Sequence, residues 1–425
     1  MTRDEIMNLI EEEDVEFIRL QFTDMWGVLK NIAITPGQID RVLNYMYPFD
    51  GSALFDYSYP YNDELFLVPD LDTFVILPWR PQQGKVGKMI CDVCYADGTL
   101  CDLSPRTVLK RVINEAKQEG YTFKISSECE FFLFHTDDNG NATTISHENA
   151  GYLDVGPADL GENARRDMVL TLEEMGFEIE SSHHEKARAQ HEIDFSEGET
   201  LEAADSIMTF RFAVRSIAKR FGLNATFMPK PRTDSAGSGM HLDFSVYKDG
   251  VSLFDNTKDG EIAAEAKYFM GGIMSHAEGL VAFTNPLVNS YKRLLSGFDA
   301  PKYINWSTKG EQCMLRYHSS FGENKIEARF PDSSANPYLA IAACIVAGLD
   351  GIRNNILPAA KDASKAKQLP GNLKDAIRHL KKDELICNAV GKDLIKIYVD
   401  VKDKAWDNYM MQVTDWEINK YLTKI

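Results

Sequence analysis

The chain has 425 residues, 44% of them hydrophobic and 26% charged, which is enough for a sizeable core and about two domains. A formal charge of −18 repels phosphate backbones and argues against a nucleic-acid partner. The longest apolar run, residues 339–349, is too short to span a bilayer and reads as a buried helix, while the charged N-terminus lacks the apolar core of a signal segment, so no membrane partner is expected.

In chain order, strands are expected at 16–22 and 29–34, joined by the turn Asp24-Met25-Trp26-Gly27, followed by a strand-rich stretch over 65–95 punctuated by Pro78, Pro81 and Gly84. Cys91 and Cys94 fall i,i+3 on a strand and point to opposite faces, which is wrong for a shared metal; seven cysteines without framework spacing fit a reduced, cytoplasmic compartment. A boundary is placed near 97–105, where Asp97-Gly98 is a turn and Ser104-Pro105 opens a helix that Gly120 stops. This divides the chain into 1–104 and 105–425. The second part reads as α+β: strand 122–134, helix 162–175, strands on either side of 181–190, helix 201–221, strand 241–247 and helix 261–283. Strands near Tyr303 and at 325–330, helix 337–348, a polar loop over 359–372 and a helical remainder complete it.

Residues two apart on a strand share a face. Glu128 and Glu130 therefore point together, as do His241, Asp243 and Ser245, and Lys325, Glu327 and Arg329; Glu192 leads a strand whose partner ends just before Glu185. Single polar faces of this kind are ordinary on half-exposed sheets. If the four converge, they form a cup of five carboxylates and one imidazole that needs cations to offset its repulsion. Carboxylate-dominated ligation favours Mg²⁺ or Mn²⁺ over Zn²⁺. Arg293, Arg316 and Arg329 stand in or beside these segments, and hard cations with Arg clamps are the parts of phosphoryl transfer. No Walker A motif is present, so an ATP site here is not a P-loop.

The segments Glu128-Cys129-Glu130-Phe131-Phe132-Leu133-Phe134, Ser182-His183-His184-Glu185, Gln190-His191-Glu192-Ile193-Asp194-Phe195, Gly237-Ser238-Gly239-Met240-His241 and Ile326-Glu327-Ala328-Arg329-Phe330-Pro331-Asp332 carry a resemblance, over almost the full length, to type I glutamine synthetases. The resemblance implies a small N-terminal β-grasp domain, a catalytic domain whose antiparallel sheet forms a metal-lined cup, and an ATP-dependent carboxylate–amine ligase. It further implies a homododecamer of two hexameric rings with active sites between subunits. By family pattern Glu130, Glu185 and Glu192 hold one metal, and Glu128, His241 and Glu327 the other. Arg293 and Arg329 look like clamps on the substrate carboxylate and the transferred phosphoryl. Gly237, His241 and Tyr152 look like further substrate contacts, and Ser245, Arg316 and Lys325 like ATP contacts. Asp50, from a neighbouring subunit, looks like the group that deprotonates ammonium, and Asp299 stands where the family carries a flap Glu.

Departures from the family pattern cluster around the acid and amine pockets. Ala53 replaces a Ser and Ala236 an Asn; Gly310-Glu311-Gln312 replaces Asn-Arg-Ser; Lys186-Ala187-Arg188-Ala189 replaces Val-Ala-Pro-Gly; Asp243 replaces a second His; and the loop around 359–369 is short. Lys186 or Arg188 is expected to supply the charge lost at Glu311. Three activities stay open: glutamine synthesis from glutamate, ammonia and ATP; the same acyl-phosphate chemistry with another acid or amine, such as γ-glutamylpolyamine or γ-glutamylmethylamide synthesis; and a non-catalytic assembly or regulatory homologue.

Overall fold

A computed structural model of the chain describes residues 1–80, 83–255, 261–310, 312–320, 322–359, 366–423 and 425. A capping box between Thr2 and Glu5 starts helix α1 (Arg3–Glu12). Then come β1 (Val15–Thr23), β2 (Leu29–Ile34), α2 (Ile39–Tyr45), β3 (Tyr47–Asp50), β4 (Glu64–Pro69), β5 (Val75–Ile76) and β6 (Lys85–Cys94). They form a sheet in the order β2-β1-β6-β4-β3, with β5 also paired to β6. The β1–β6 pair is parallel and the others are antiparallel. Both faces of β6 are covered, so Cys91 and Cys94 are both buried.

The β1–β2 turn joins this sheet to the rest of the protein. Asp24 Oδ1 accepts from the amides of Trp26 and Val28, both at 2.9 Å. The Asn336 amide donates to the carbonyls of Asp24 and Met25. Gly27 lies at φ +82°, and a Cβ there would come within 3.1 Å of Asn336 Cα, so both the backbone conformation and the close approach call for glycine.

The second part contains α3 (Pro105–Gln118), β7 (Tyr121–His135), α4 (Glu162–Glu174), β8 (Ile179–His184), β9 (Gln190–Glu199), α5 (Thr200–Arg220), β10 (Leu223–Thr226), β11 (Met240–Lys248) and β12 (Val251–Ser252). It continues with α6 (Ala264–Thr284), α7 (Val288–Leu295), β13 (Trp306–Ser307), β14 (Leu315–Ser320), β15 (Glu323–Ala328) and α8 (Pro337–Asn354). It closes with α9 (Leu373–Leu380), α10 (Glu384–Val390), α11 (Lys392–Met410) and α12 (Asp415–Tyr421). The nine-stranded sheet runs β13-β14-β15-β11-β7-β9-β8, with β10 on β7 and β12 on β11. Its alternation is as expected. Phe123, Ile125, Cys129, Phe131 and Leu133 of β7, and Met240, Leu242, Phe244 and Val246 of β11, belong to one core with α5, α6 and α8, which leaves the opposite face for polar side chains.

Several expectations shift. The structure adds helices α1 and α2 and strands β3 and β14 to the elements expected above. The strand expected near Tyr303 is an isolated bridge to Gln368, followed by the short β13. The helix expected over 337–348 continues to Asn354, where left-handed Asn355 ends it. Glu311 and residues 360–365 lie outside the described residues, so the Arg-to-Glu replacement and the short loop carry no structural account. Among the described residues, no helix is long and apolar enough to cross a membrane.

Candidate active site

The four polar strand faces do converge. Register places His241 of β11 opposite Glu128 of β7, Glu130 of β7 opposite Glu192 of β9, and Asp243 of β11 opposite Glu327 of β15. A cavity of about 190 Å³ forms over these strands, lined among others by Glu128, Glu130, Glu185, Glu192, His241, Arg293, Arg316 and Arg329. Tyr152, Gly237 and Asp299 border the same cavity.

Each group is held locally. His241 Nδ1 donates to Glu128 Oε2 at 2.7 Å and lies 3.3 Å from Glu327 Oε1, so one proposed ligand trio is already joined through the imidazole. Glu130 Oε2 accepts from Gln190 Nε2 (2.6 Å) and the Gly239 amide (3.0 Å). Glu185 sits in the β8–β9 turn, closed by its own amide on the Gln190 carbonyl and by Ala189 at φ +66°. Arg293 donates to the carbonyls of Phe330, Pro331 and Arg329, which aims its guanidinium without consuming a carboxylate. Glu327 is fully buried and pairs with both Arg316 and Arg329.

The trios that the ligand atoms make differ in part from those expected. Ligand atoms of Glu128, Glu192 and His241 lie within 4.8 Å of one another, as do those of His183, Glu185 and Glu192, and those of Asp243, His318 and Glu327. Glu130 is outside these sets, although its Oε1 lies 3.9 Å from His241 Nε2. Two imidazoles given no role by the sequence reading appear instead. His183, inside the quoted Ser-His-His-Glu run, lies 3.6 Å from Glu185 and 3.8 Å from Glu192. His318 of β14 lies 3.0 Å from Asp243, returning an imidazole to the position where a His is replaced.

Burial, then Glu185, pushes the Glu130 carboxyl up to about 7. Burial, then Glu128, pushes Asp194 up to about 8. Burial, then Asp194 and Glu130, holds Glu192 well above the usual carboxylate range. Burial holds His241 well below the usual imidazole value, which keeps its ring neutral and able to serve as a ligand. Buried carboxylates and neutral imidazole without thiolate, destabilised by their own repulsion, fit a hard divalent cation.

Ser245 and Lys325 stand apart from this cavity. Ser245 Oγ donates to Glu197 Oε2 at 2.9 Å, and Lys325 Nζ lies 3.4 Å from the same oxygen. Glu197, absent from the sequence reading, therefore gathers two of the expected ATP residues. Asp50 is also elsewhere. It caps the Ser52 amide at 2.9 Å and borders a separate cavity with Tyr57, Tyr59 and Tyr61. Ala53, on the same turn, is half-buried against the core.

Ala236 borders the cavity over the carboxylate cup and packs with Ala187, Ala189, Phe132 and Phe134, so two of the departures, Ala236 and Ala189, share one apolar contact. The glycines between Ala236 and Met240 have steric causes. A Cβ on Gly237 would meet the Pro229 carbonyl at 2.1 Å; one on Gly239 would meet Arg293 Nη2 at 2.7 Å and His241 Nε2 at 2.9 Å. Gly239→Ala is expected to displace these groups and cut turnover about 100-fold with the fold intact. Steady-state kinetics beside circular dichroism check this, and undiminished turnover would reject the packing argument.

Comparison with known proteins places the chain in a family. The family model described as "Glutamine synthetase, beta-Grasp domain" matches residues 14–96, and that described as "Glutamine synthetase, catalytic domain" matches 102–421. Glutamine synthetase from Clostridium saccharobutylicum is 48% identical over 439 residues, covering 100% of this chain and 99% of that protein. Glutamine synthetase from Staphylococcus aureus (strain MW2) is 43% identical over 438 residues, covering 99% and 98%. The solved structure "GmaS/ADP complex-Conformation 1" superposes with a TM-score of 0.90 at 30% identity, covering 98% of this chain and 99% of the other. With an N-terminal β-grasp domain and a C-terminal catalytic domain, the chain belongs to the glutamine synthetase family.

Proposed function

We propose that the protein is a glutamine synthetase, joining glutamate and ammonia with ATP through a γ-glutamyl phosphate. The observation that carries this is the cup of Glu128, Glu130, Glu185, Glu192 and His241, with buried Glu327 3.3 Å from His241 and with Arg293, Arg316 and Arg329 at its rim, in a chain matched end to end by glutamine synthetases. In this reading Arg293 and Arg329 hold the acid, with Gly237 keeping the wall beside it thin. Arg316 with Lys325 and Ser245 holds the nucleotide. The γ-carboxylate attacks the γ-phosphate and ADP leaves; the amine then attacks the acyl carbon and phosphate leaves. Mg²⁺ or Mn²⁺ held by the six ligands would neutralise charge on the phosphate oxygens. Tyr152 and Asp299 face the incoming ammonium, and Asp50 from a neighbouring copy takes its proton. The remoteness of Asp50 from its own chain's cavity supports a ring assembly, a homododecamer, with shared sites. The domain division falls at 104/105, and the buried thiols suit a cytoplasmic location.

The test is phosphate release from ATP with glutamate and a panel of amines, in Mg²⁺ and in Mn²⁺. Turnover with ammonia and glutamate is expected; silence across the panel overturns the reading. A second reading keeps the acyl phosphate and takes a larger amine. It draws on Ala53 and the short Asp299, and turnover with methylamine or a polyamine but not ammonia would select it.

A further inference from the structure

The amine side of the cavity already holds an ammonium group, and it belongs to the chain itself. Lys186 Nζ donates to Asp299 Oδ1 at 3.0 Å and lies 5.5 Å from the centre of the Tyr152 ring. All three residues border the cavity that holds the carboxylate cup. A carboxylate beside an aromatic face is the chemistry that binds an alkylammonium or ammonium ion. Lys186 is carried on the tight β8–β9 turn, next to Glu185, so its reach to Asp299 is set by a fixed part of the sheet.

Asp299 is carried differently. After α7 the chain passes through Gly297 at φ +72°, and among the described residues the backbone of 297–301 makes no hydrogen bond to other backbone. This segment is tied by side chains: Lys230 lies over the Phe298 ring at 4.2 Å, Gln312 reaches the Gly297 and Phe298 carbonyls at 3.4 and 3.5 Å, and Lys186 holds Asp299. Lys186 and Asp299 remain about one-third exposed, with side-chain exposures of 35% and 38%. A pair this wet is weak enough to exchange with a free cation.

We propose that Lys186 is a resident competitor for the amine: its ammonium occupies the Asp299–Tyr152 position in the resting protein and must be displaced before the acceptor amine binds. This rests on the reading of the cavity as a carboxylate–amine ligase site and adds a specificity-determining residue to it. The ion pair also positions segment 296–301 across the cavity mouth, so one side chain sets both the apparent amine affinity and the opening of the loop. Lys186 thereby acts on the acceptor side of the cavity.

The test compares wild type with Lys186→Val and Lys186→Arg by steady-state kinetics, varying ammonium, glutamate and ATP in turn. Lys186→Val is expected to lower the KM for ammonium about fivefold, leaving the KM for ATP within twofold. Lys186→Arg, which keeps a cation on Asp299, is expected to restore the wild-type value. Hydrogen–deuterium exchange of 296–301 without nucleotide supplies a readout independent of turnover, and exchange should rise severalfold in Lys186→Val. An unchanged or raised ammonium KM together with unchanged exchange overturns the proposal. Absence of turnover in wild type defeats the ligase reading instead, and the exchange measurement still decides whether Lys186 holds the loop.

Discussion

Glu192→Gln is expected to make the metal-free protein more heat-stable at pH 8 while removing on the order of 10³ of its turnover. Glu192 is buried on β9 opposite Glu130, with Asp194, Glu128 and Glu185 close enough to oppose its ionisation. Glu130 and Asp194, at about 7 and about 8, are in the same position. Each of these carboxyls binds its proton more tightly folded than unfolded. Their contribution to stability is therefore fully present below the unfolded value and is lost as pH rises through the folded one. For Glu130 that window runs from 4.5 to about 7, and for Asp194 from 3.8 to about 8. Within the window each titrating group removes about 1.4 kcal/mol per pH unit. Glutamine keeps the volume, cannot ionise, and removes one member of the repelling set.

The metal-free melting midpoint should thus fall from pH 5 to pH 8, and fall less steeply in Glu192→Gln. A divalent cation should raise the wild-type midpoint, and do so more at pH 8 than at pH 5, because ligation needs the ionised carboxylates. Melting curves at several pH values, in EDTA and in Mg²⁺ or Mn²⁺, supply the measurement. A variant that melts lower than wild type at pH 8 without metal would show that the cup is not strained by like charge. Stability and function then oppose each other at one residue, as the proposed metal site requires.

The cup was legible because a strand's period of two is rigid: once Met240, Leu242 and Phe244 are core, His241 and Asp243 must face the other way. The rule fails where the period slips. On β9 the pairing with β7 passes from Phe195 opposite Ser127 to Gly198 opposite Ile125, one extra residue on β9. That bulge returns Glu197 to the face of Glu192, although counting by twos puts it on the other. β14 hid for another reason. Leu315–Ser320 is short, polar and half-exposed along most of its length, so neither period stood out, and His318 went unread with it. Helix α1 did carry a signal, the Thr2 to Glu5 capping box, which an inspection aimed at apolar runs passes over. Asp50 is the opposite case: its proposed role depends on a second copy, and no pattern within one chain brings it to the cup.

The largest structural effect is expected far from the cup, at Arg106. Arg106→Met should lower stability by about 3–5 kcal/mol, seen as a lower urea midpoint. Arg106 opens α3 and is 3% exposed. It grips Asp205 of α5 with Nε and Nη2 at 3.0 and 2.8 Å, Asp92 of β6 at 2.5 Å and Asp70 at 2.7 Å. Tyr338 of α8 donates to Asp205 at 2.6 Å. One guanidinium therefore joins the N-terminal sheet to three helices of the catalytic domain. Burial works against its charge, but Asp205 and Asp92 outweigh that and hold it protonated. Methionine fills part of the volume but leaves three aspartates facing one another, with Lys110 on Asp92 as the nearby relief. The penalty comes from those stranded carboxylates, so Arg106→Met with Asp205→Asn should be more stable than Arg106→Met alone. Equal stability of the single and double variants would mean that lost packing, not uncompensated charge, dominates at the domain junction.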